Sequence, residues 1–175
     1  METYGQSYSL SEMRRIGMKK FDLNIEKILE SWELCHAIRE IIANALDEQL
    51  LTQTKDVCIS QIGNAWIIRD YGRGLKYTHL TQNENQEKID NGNVIGKFGI
   101  GLKDALATFD RKGVIVTAKS KHNIIRTEQS TKQGFHDVKT LHAVIKESHE
   151  SNFVGTEFEL IGVSERDIDA AKNFS

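Results

Sequence analysis

The hydrophobic periodicity of the chain changes character at Thr52, and this change limits the architectures open to it. Before that point, Leu34, Cys35, Ile38, Ile41, Ile42, Ala45 and Leu46 fall on one arc of a helix running from about Glu33 to Leu51. An earlier helical pattern starts at Phe21, with Ile25, Ile28, Leu29 and Trp32 at i, i+3, i+4 and i+7 and Asn24 or Asp22 as its cap. Beyond Thr52 the pattern is that of strands. The runs 57–62 and 65–69 flank Gly63-Asn64, a two-residue hairpin signal. Further strands are expected at 114–118, 123–127, 141–145 and 155–160, with a short helix from Leu102 to Phe109 between the two groups. Helices early, strands late and hairpins between them predict an α+β fold, a two-layer sandwich of helices over a mixed, mostly antiparallel sheet.

A length of 175 residues suits a single core-bearing domain. Residues 1–20 read as a polar N-terminal arm and 21–163 as the globular part. A long polar loop runs from Thr78 to Asn93, and 164–175 is the start of a C-terminal helix cut short at Ser175. Ser164-x-x-Asp167 is the cap signature of that helix. A formal net charge of −2 argues against nucleic-acid binding through a domain-wide cationic field. No apolar run reaches the ~20 residues needed to span a bilayer, and the first residues lack the apolar stretch of a signal peptide. Cys35 and Cys58 fit neither a disulfide framework nor a metal site, so the expected compartment is the cytoplasm.

Chemistry is expected in three places. Glu40, Asn44 and Asp47 lie at i, i+4 and i+7, within about 60° of one another on the helical wheel and opposite the apolar arc. This stripe is either a solvated helix face or a site in which a carboxylate activates water and an amide oxygen ligates a hard cation. Asp70-Tyr71-Gly72-Arg73-Gly74-Leu75, after the second strand of the hairpin, is either a plain turn or a recognition loop. In the latter, Asp70 accepts from an exocyclic amine and the glycines let a flat ring approach the backbone. In Gly96-Lys97-Phe98-Gly99-Ile100-Gly101-Leu102-Lys103, three glycines enter a helix whose first N–H groups form a ready anion site, with Lys97 and Lys103 adding charge. It is neither a Walker loop nor a Rossmann fingerprint.

The order E-x-x-x-N, then D-x-G-x-G after a hairpin, then G-K-F-G-I-G-L-K opening a helix, then Gly155-Thr156 in a late strand, resembles the GHKL ATPase superfamily. That group holds DNA gyrase B subunits, heat-shock chaperones of the ninety-kilodalton class, histidine kinases and MutL proteins, with MORC ATPases as relatives. In motif style the chain is most similar to the chaperone-like and MORC branches. The resemblance covers roughly Ile25 to Leu160 and implies ATP or ADP and Mg2+ bound between the helices under a lid at about 76–95.

On that resemblance Glu40 is the general base, Asn44 the magnesium ligand and Asp47 a neighbour of the metal shell. Asp70 reads the adenine amine, and Gly72, Gly74 and Leu75 form the base platform. Gly96, Lys97, Phe98, Gly99, Ile100, Gly101, Leu102 and Lys103 make the phosphate-side turn, and Thr156 reaches the adenine through water. Tyr71 departs from the family's small polar residue, from which altered packing beside the base is expected. Many family members add a lysine from a second domain. Too few residues follow Leu160 to supply one, so hydrolysis by this chain alone is expected to be slow or absent.

The main expectation is a Mg-dependent ATPase with ATP-linked lid closure and an ATP-dependent homodimer, without membrane or nucleic-acid partners. The alternative is a regulatory nucleotide-binding clamp, motivated by the arm. A histidine kinase catalytic domain is disfavoured by Glu40, which such kinases do not generally carry.

Overall fold

The computed structural model describes residues 9–23, 25, 31–80 and 100–173. Seven strands form one sheet in the order β1-β6-β5-β4-β7-β3-β2. They are β1 (Met18–Asp22), β2 (Cys58–Ile62), β3 (Ala65–Arg69), β4 (Ile115–Lys119), β5 (Asn123–Thr131), β6 (Lys139–Glu147) and β7 (Glu157–Ile161). The described helices are α1 (Leu10–Arg15), α2 (Leu34–Thr52), α3 (Ile100–Arg111) and α4 (Glu165–Asn173), and a 3-10 turn spans Tyr77–Leu80. The architecture is an α+β sandwich. Every pairing among the described strands is antiparallel, so the mixed character expected of the sheet is not found there.

Strand alternation sets the layer order. Trp66 and Ile68, Phe158 and Leu160, Val116 and Ala118, and Ala143 and Ile145 point to one face and are buried. There they join Ile38, Ile41, Ile42 and Ala45 of α2, Ala105, Leu106 and Phe109 of α3, and Ile168 and Ala171 of α4 in one core. Full burial of each larger side chain contributes about 1.5–3 kcal/mol. The hairpin forms as its sequence dictates, with Ile62 opposite Ala65 and Gly63 at φ +61°. A positive φ at the first central position alone is the type II′ arrangement that matches strand twist. α4 is capped by the expected reciprocal pair, in which Asp167 N–H donates to Ser164 Oγ at 3.2 Å and Ser164 N–H to Asp167 Oδ2 at 3.0 Å.

The N-terminal region differs from expectation. Phe21 belongs to strand β1 rather than to a helix, because Met18–Asp22 adds to the sheet edge along β6, Phe21 opposite Ala143. Asp22 ends β1 and accepts from Thr140 Oγ1 at 2.8 Å; Asn24 lies outside the described residues. Ile28 and Leu29 lie outside the described residues, and Trp32 precedes α2. Within the stretch read as an arm, Ser9 and Glu12 form a capping box on α1, and Met13 is buried. No described helix is long and apolar enough to cross a membrane, and Cys35 and Cys58 are both free.

Candidate active site at the end of the sheet

α2 carries the acidic stripe, and its surroundings correct the picture of a solvated face. Glu40 and Asn44 are half-buried, and Asp47 is only 1% exposed. Glu40 faces the first turn of α3: a Cβ on Gly101 would meet Glu40 Oε2 well inside the 3.0 Å that real Cβ contacts respect. The absence of a side chain at Gly101 therefore lets the two helices close on this carboxylate. Arg39 Nη2 lies 3.5 Å from Glu40 Oε1.

One turn beyond Asn44, Glu48 touches the second motif. Its Oε1 accepts from Arg73 N–H at 2.8 Å and from Arg73 Nε at 3.0 Å, and its Oε2 from Arg73 Nη2 at 3.0 Å. A Cβ on Gly72 would collide with the Glu48 side chain. α2 thus clamps the turn after β3 at one end of its polar stripe and the glycine-led helix at the other. Glu48 and Arg73 were not singled out by sequence reading. The signal was present, since Glu48 continues the i, i+4 spacing of Glu40 and Asn44.

Asp70 leaves β3 buried, at 5% exposure. Its Oδ1 accepts from Gly72 N–H at 2.9 Å and from Thr156 N–H at 3.3 Å, while its own N–H donates to the Thr156 carbonyl at 3.0 Å. Burial pushes its carboxyl above the ordinary value. The Gly72 and Thr156 amides and the Thr156 hydroxyl oppose that shift, and the nearby Glu48 charge adds to it. Gly155 is required here. It sits at φ +80°, and a Cβ would fall on the Asp70 carbonyl oxygen. Buried Thr156 accepts from Leu75 N–H at 2.8 Å through Oγ1, and Ser120 Oγ donates to the Leu75 carbonyl at 2.6 Å. The loop carrying Gly72, Gly74 and Leu75 is therefore tied to β7 and to the β4–β5 turn.

Leu75 and Leu102 line one small void in the core, of about 10 Å³, so these two are packing residues of the second and third motifs. Lys103 is half-exposed on α3, and burial pushes the carboxyl of Asp104 beside it upward, with the Lys103 charge opposing. Gly96, Lys97, Phe98 and Gly99, with most of the 76–95 stretch, lie outside the described residues; Ile100 is placed only as the first helical residue of α3. Tyr71, next in the chain after Asp70, is half-buried. Its ring stacks with Lys55 Nζ at 3.8 Å and Arg69 Cζ at 5.0 Å, and Arg69 alternates with Ile68 to the other face of the sheet.

The fold and this arrangement define an α+β sandwich in which helix α2 meets a buried aspartate turn and a glycine-led helix. No protein-family model matches the chain. The chain is similar to a protein of Mycoplasma pneumoniae described as uncharacterized, at 39% identity over 159 residues. The match covers 88% of this chain and 64% of that protein, so the chain spans less than two thirds of its relative's length.

Proposed function

We propose that the chain is the nucleotide-binding domain of a GHKL-type ATPase that hydrolyses ATP with Glu40 as general base. The observation that carries this reading is the double contact of α2: Glu40 against Gly101, and Glu48 against Gly72 and Arg73. One helix thereby touches both of the other motifs, which supports a single nucleotide held by all three.

The residues suit the group. Both backbone amides that hold Asp70 fall on Oδ1, so Oδ2 is the oxygen offered to the exocyclic amine of adenine. The Thr156 hydroxyl accepts from Leu75 N–H and hydrogen-bonds the Asp70 carboxyl, so it sits beside the oxygen that would read the base. Asn44 supplies an amide oxygen for magnesium, which keeps mostly water and phosphate oxygens and needs few protein ligands. When bound, the metal neutralises phosphate charge. The N–H groups of the first turn of α3, with Lys103, favour the phosphate anion. Glu40 takes a proton from a water whose oxygen bonds to the γ-phosphorus while the bond to the β–γ bridging oxygen breaks and ADP leaves.

Calorimetric titration with ATP and ADP, with and without magnesium, followed by phosphate release on the same sample, tests the proposal. Micromolar, magnesium-enhanced binding with release of phosphate is expected. Binding without release favours the regulatory clamp, and absence of binding sinks both.

A further inference from the structure

We infer that a second ligand site, for a small phosphorylated molecule, lies between the start of β1, residues 76–78, the β4–β5 turn and the end of β6. Among the described residues these segments line an open concavity of about 400 Å³, within the roughly 300–1,000 Å³ typical of small-molecule sites. It shares no lining residue with Glu40, Asn44, Asp70 or Thr156. The inference does not depend on the nucleotide reading.

Charge selects the ligand. Lys19, Lys76 and Lys121 line the cavity together with His122, against one carboxylate, Glu147. No ion pair among the described residues engages any of the three ammoniums. Lys19 instead donates to the Tyr77 hydroxyl at 3.4 Å and lies 4.7 Å from the centre of its ring. Unneutralised ammoniums around a concavity attract an anion. A phosphate group, with several acceptor oxygens, can take donors arriving from three segments at once. Glu147 accepts only, so it favours a phosphate ester with a hydroxyl over a second bare anion.

The walls are fixed before any ligand arrives. Ser120, 1% exposed, accepts at Oγ from His122 N–H at 3.1 Å and Asn123 N–H at 3.3 Å. Buried Asn123 accepts at Oδ1 from Tyr77 N–H at 3.2 Å, and the His122 carbonyl accepts from Ser148 N–H at 3.2 Å. With β1 paired along β6, all four lining segments are thus bonded to one another, so binding needs little reordering.

The test is an amide-resolved NMR titration of the full chain with inorganic pyrophosphate and, separately, with glycerol 3-phosphate. Saturable shifts are expected at Tyr77, His122 and Ser148 and not at Gly101 or Lys103, with the hydroxyl-bearing ester preferred. The Lys19→Ala/Lys121→Ala double variant should bind roughly tenfold more weakly or worse, as loss of charged hydrogen bonds implies. Lys121→Gln, in an exposed turn, gives the same answer on a smaller scale if the double variant does not fold. Shifts confined to Gly101–Lys103, shifts that do not saturate, or unchanged affinity in the lysine variants would overturn the inference.

Discussion

Glu40 and Gly101 are in contact across the α2–α3 interface, and the glycine makes room for the carboxylate. A methyl group at this position would push aside the end of a flexible side chain and no backbone, so Gly101→Ala should fold. Its rate should nevertheless fall roughly tenfold to a hundredfold, because small misplacement of a base is costly. Phosphate release beside a melting curve checks this. A parental rate would mean that Glu40 is not used where it lies.

Glu40→Ala should bind ATP as the parent does and lose turnover by about 10²-fold or more, the usual contribution of a positioned base. Titration and single-turnover phosphate release separate the two effects. Hydrolysis at the parental rate would remove Glu40 from the mechanism.

Asp70 gives a pH signature. Its carboxyl is raised from 3.8, so the protonated form is favoured by the fold. The stability it contributes is fully present below the unfolded value and is lost as pH rises through the folded one. The ionised form is the stronger acceptor for an amine, so nucleotide affinity should begin to fall on acidification above the ordinary carboxylate range. Asp70→Asn should lose about tenfold in affinity at neutral pH and the acid dependence with it. An unchanged titration curve would count against the adenine-reading role.

Glu48 adds to the upward shift of Asp70, so Glu48→Gln should move the Asp70 titration to lower pH. Carboxyl-carbon NMR reads this directly. Arg73 is half exposed, 54% at the side chain, so the ion-pair part of the stability loss should stay within about 1 kcal/mol.

Gly155→Ala should destabilise the domain by about 1–3 kcal/mol, since it combines a left-handed φ with a Cβ placed on a backbone oxygen. Urea denaturation measures it. A neutral outcome would show that the Asp70–Thr156 crossing relaxes freely.

Much of this architecture is legible in the residues. The hairpin at Gly63-Asn64, the α2 arc, and the later strands are local or periodic signals, and they appear within one or a few residues of where the pattern puts them. Strand β1 was not legible: Met18-Lys19-Lys20-Phe21-Asp22 holds two apolar residues three positions apart and no alternation, and only pairing with β6 makes it a strand. Ser9-x-x-Glu12 was a readable cap signature inside a stretch taken as an arm.

The sequence by itself determined the helix and strand types from α2 onward and the presence of Glu40, Asn44, Asp70, Gly101 and Thr156, because periodicity, turn chemistry and residue type are local properties. Only the tertiary structure decided that Asp47 is buried, that Glu48 holds Arg73, that Tyr71 turns to the other face, and that Gly155 passes under Asp70. Those facts depend on which elements pack side by side; the Glu48–Arg73 and Thr156–Asp70 bonds join residues 25 and 86 positions apart, separations over which no local pattern carries information.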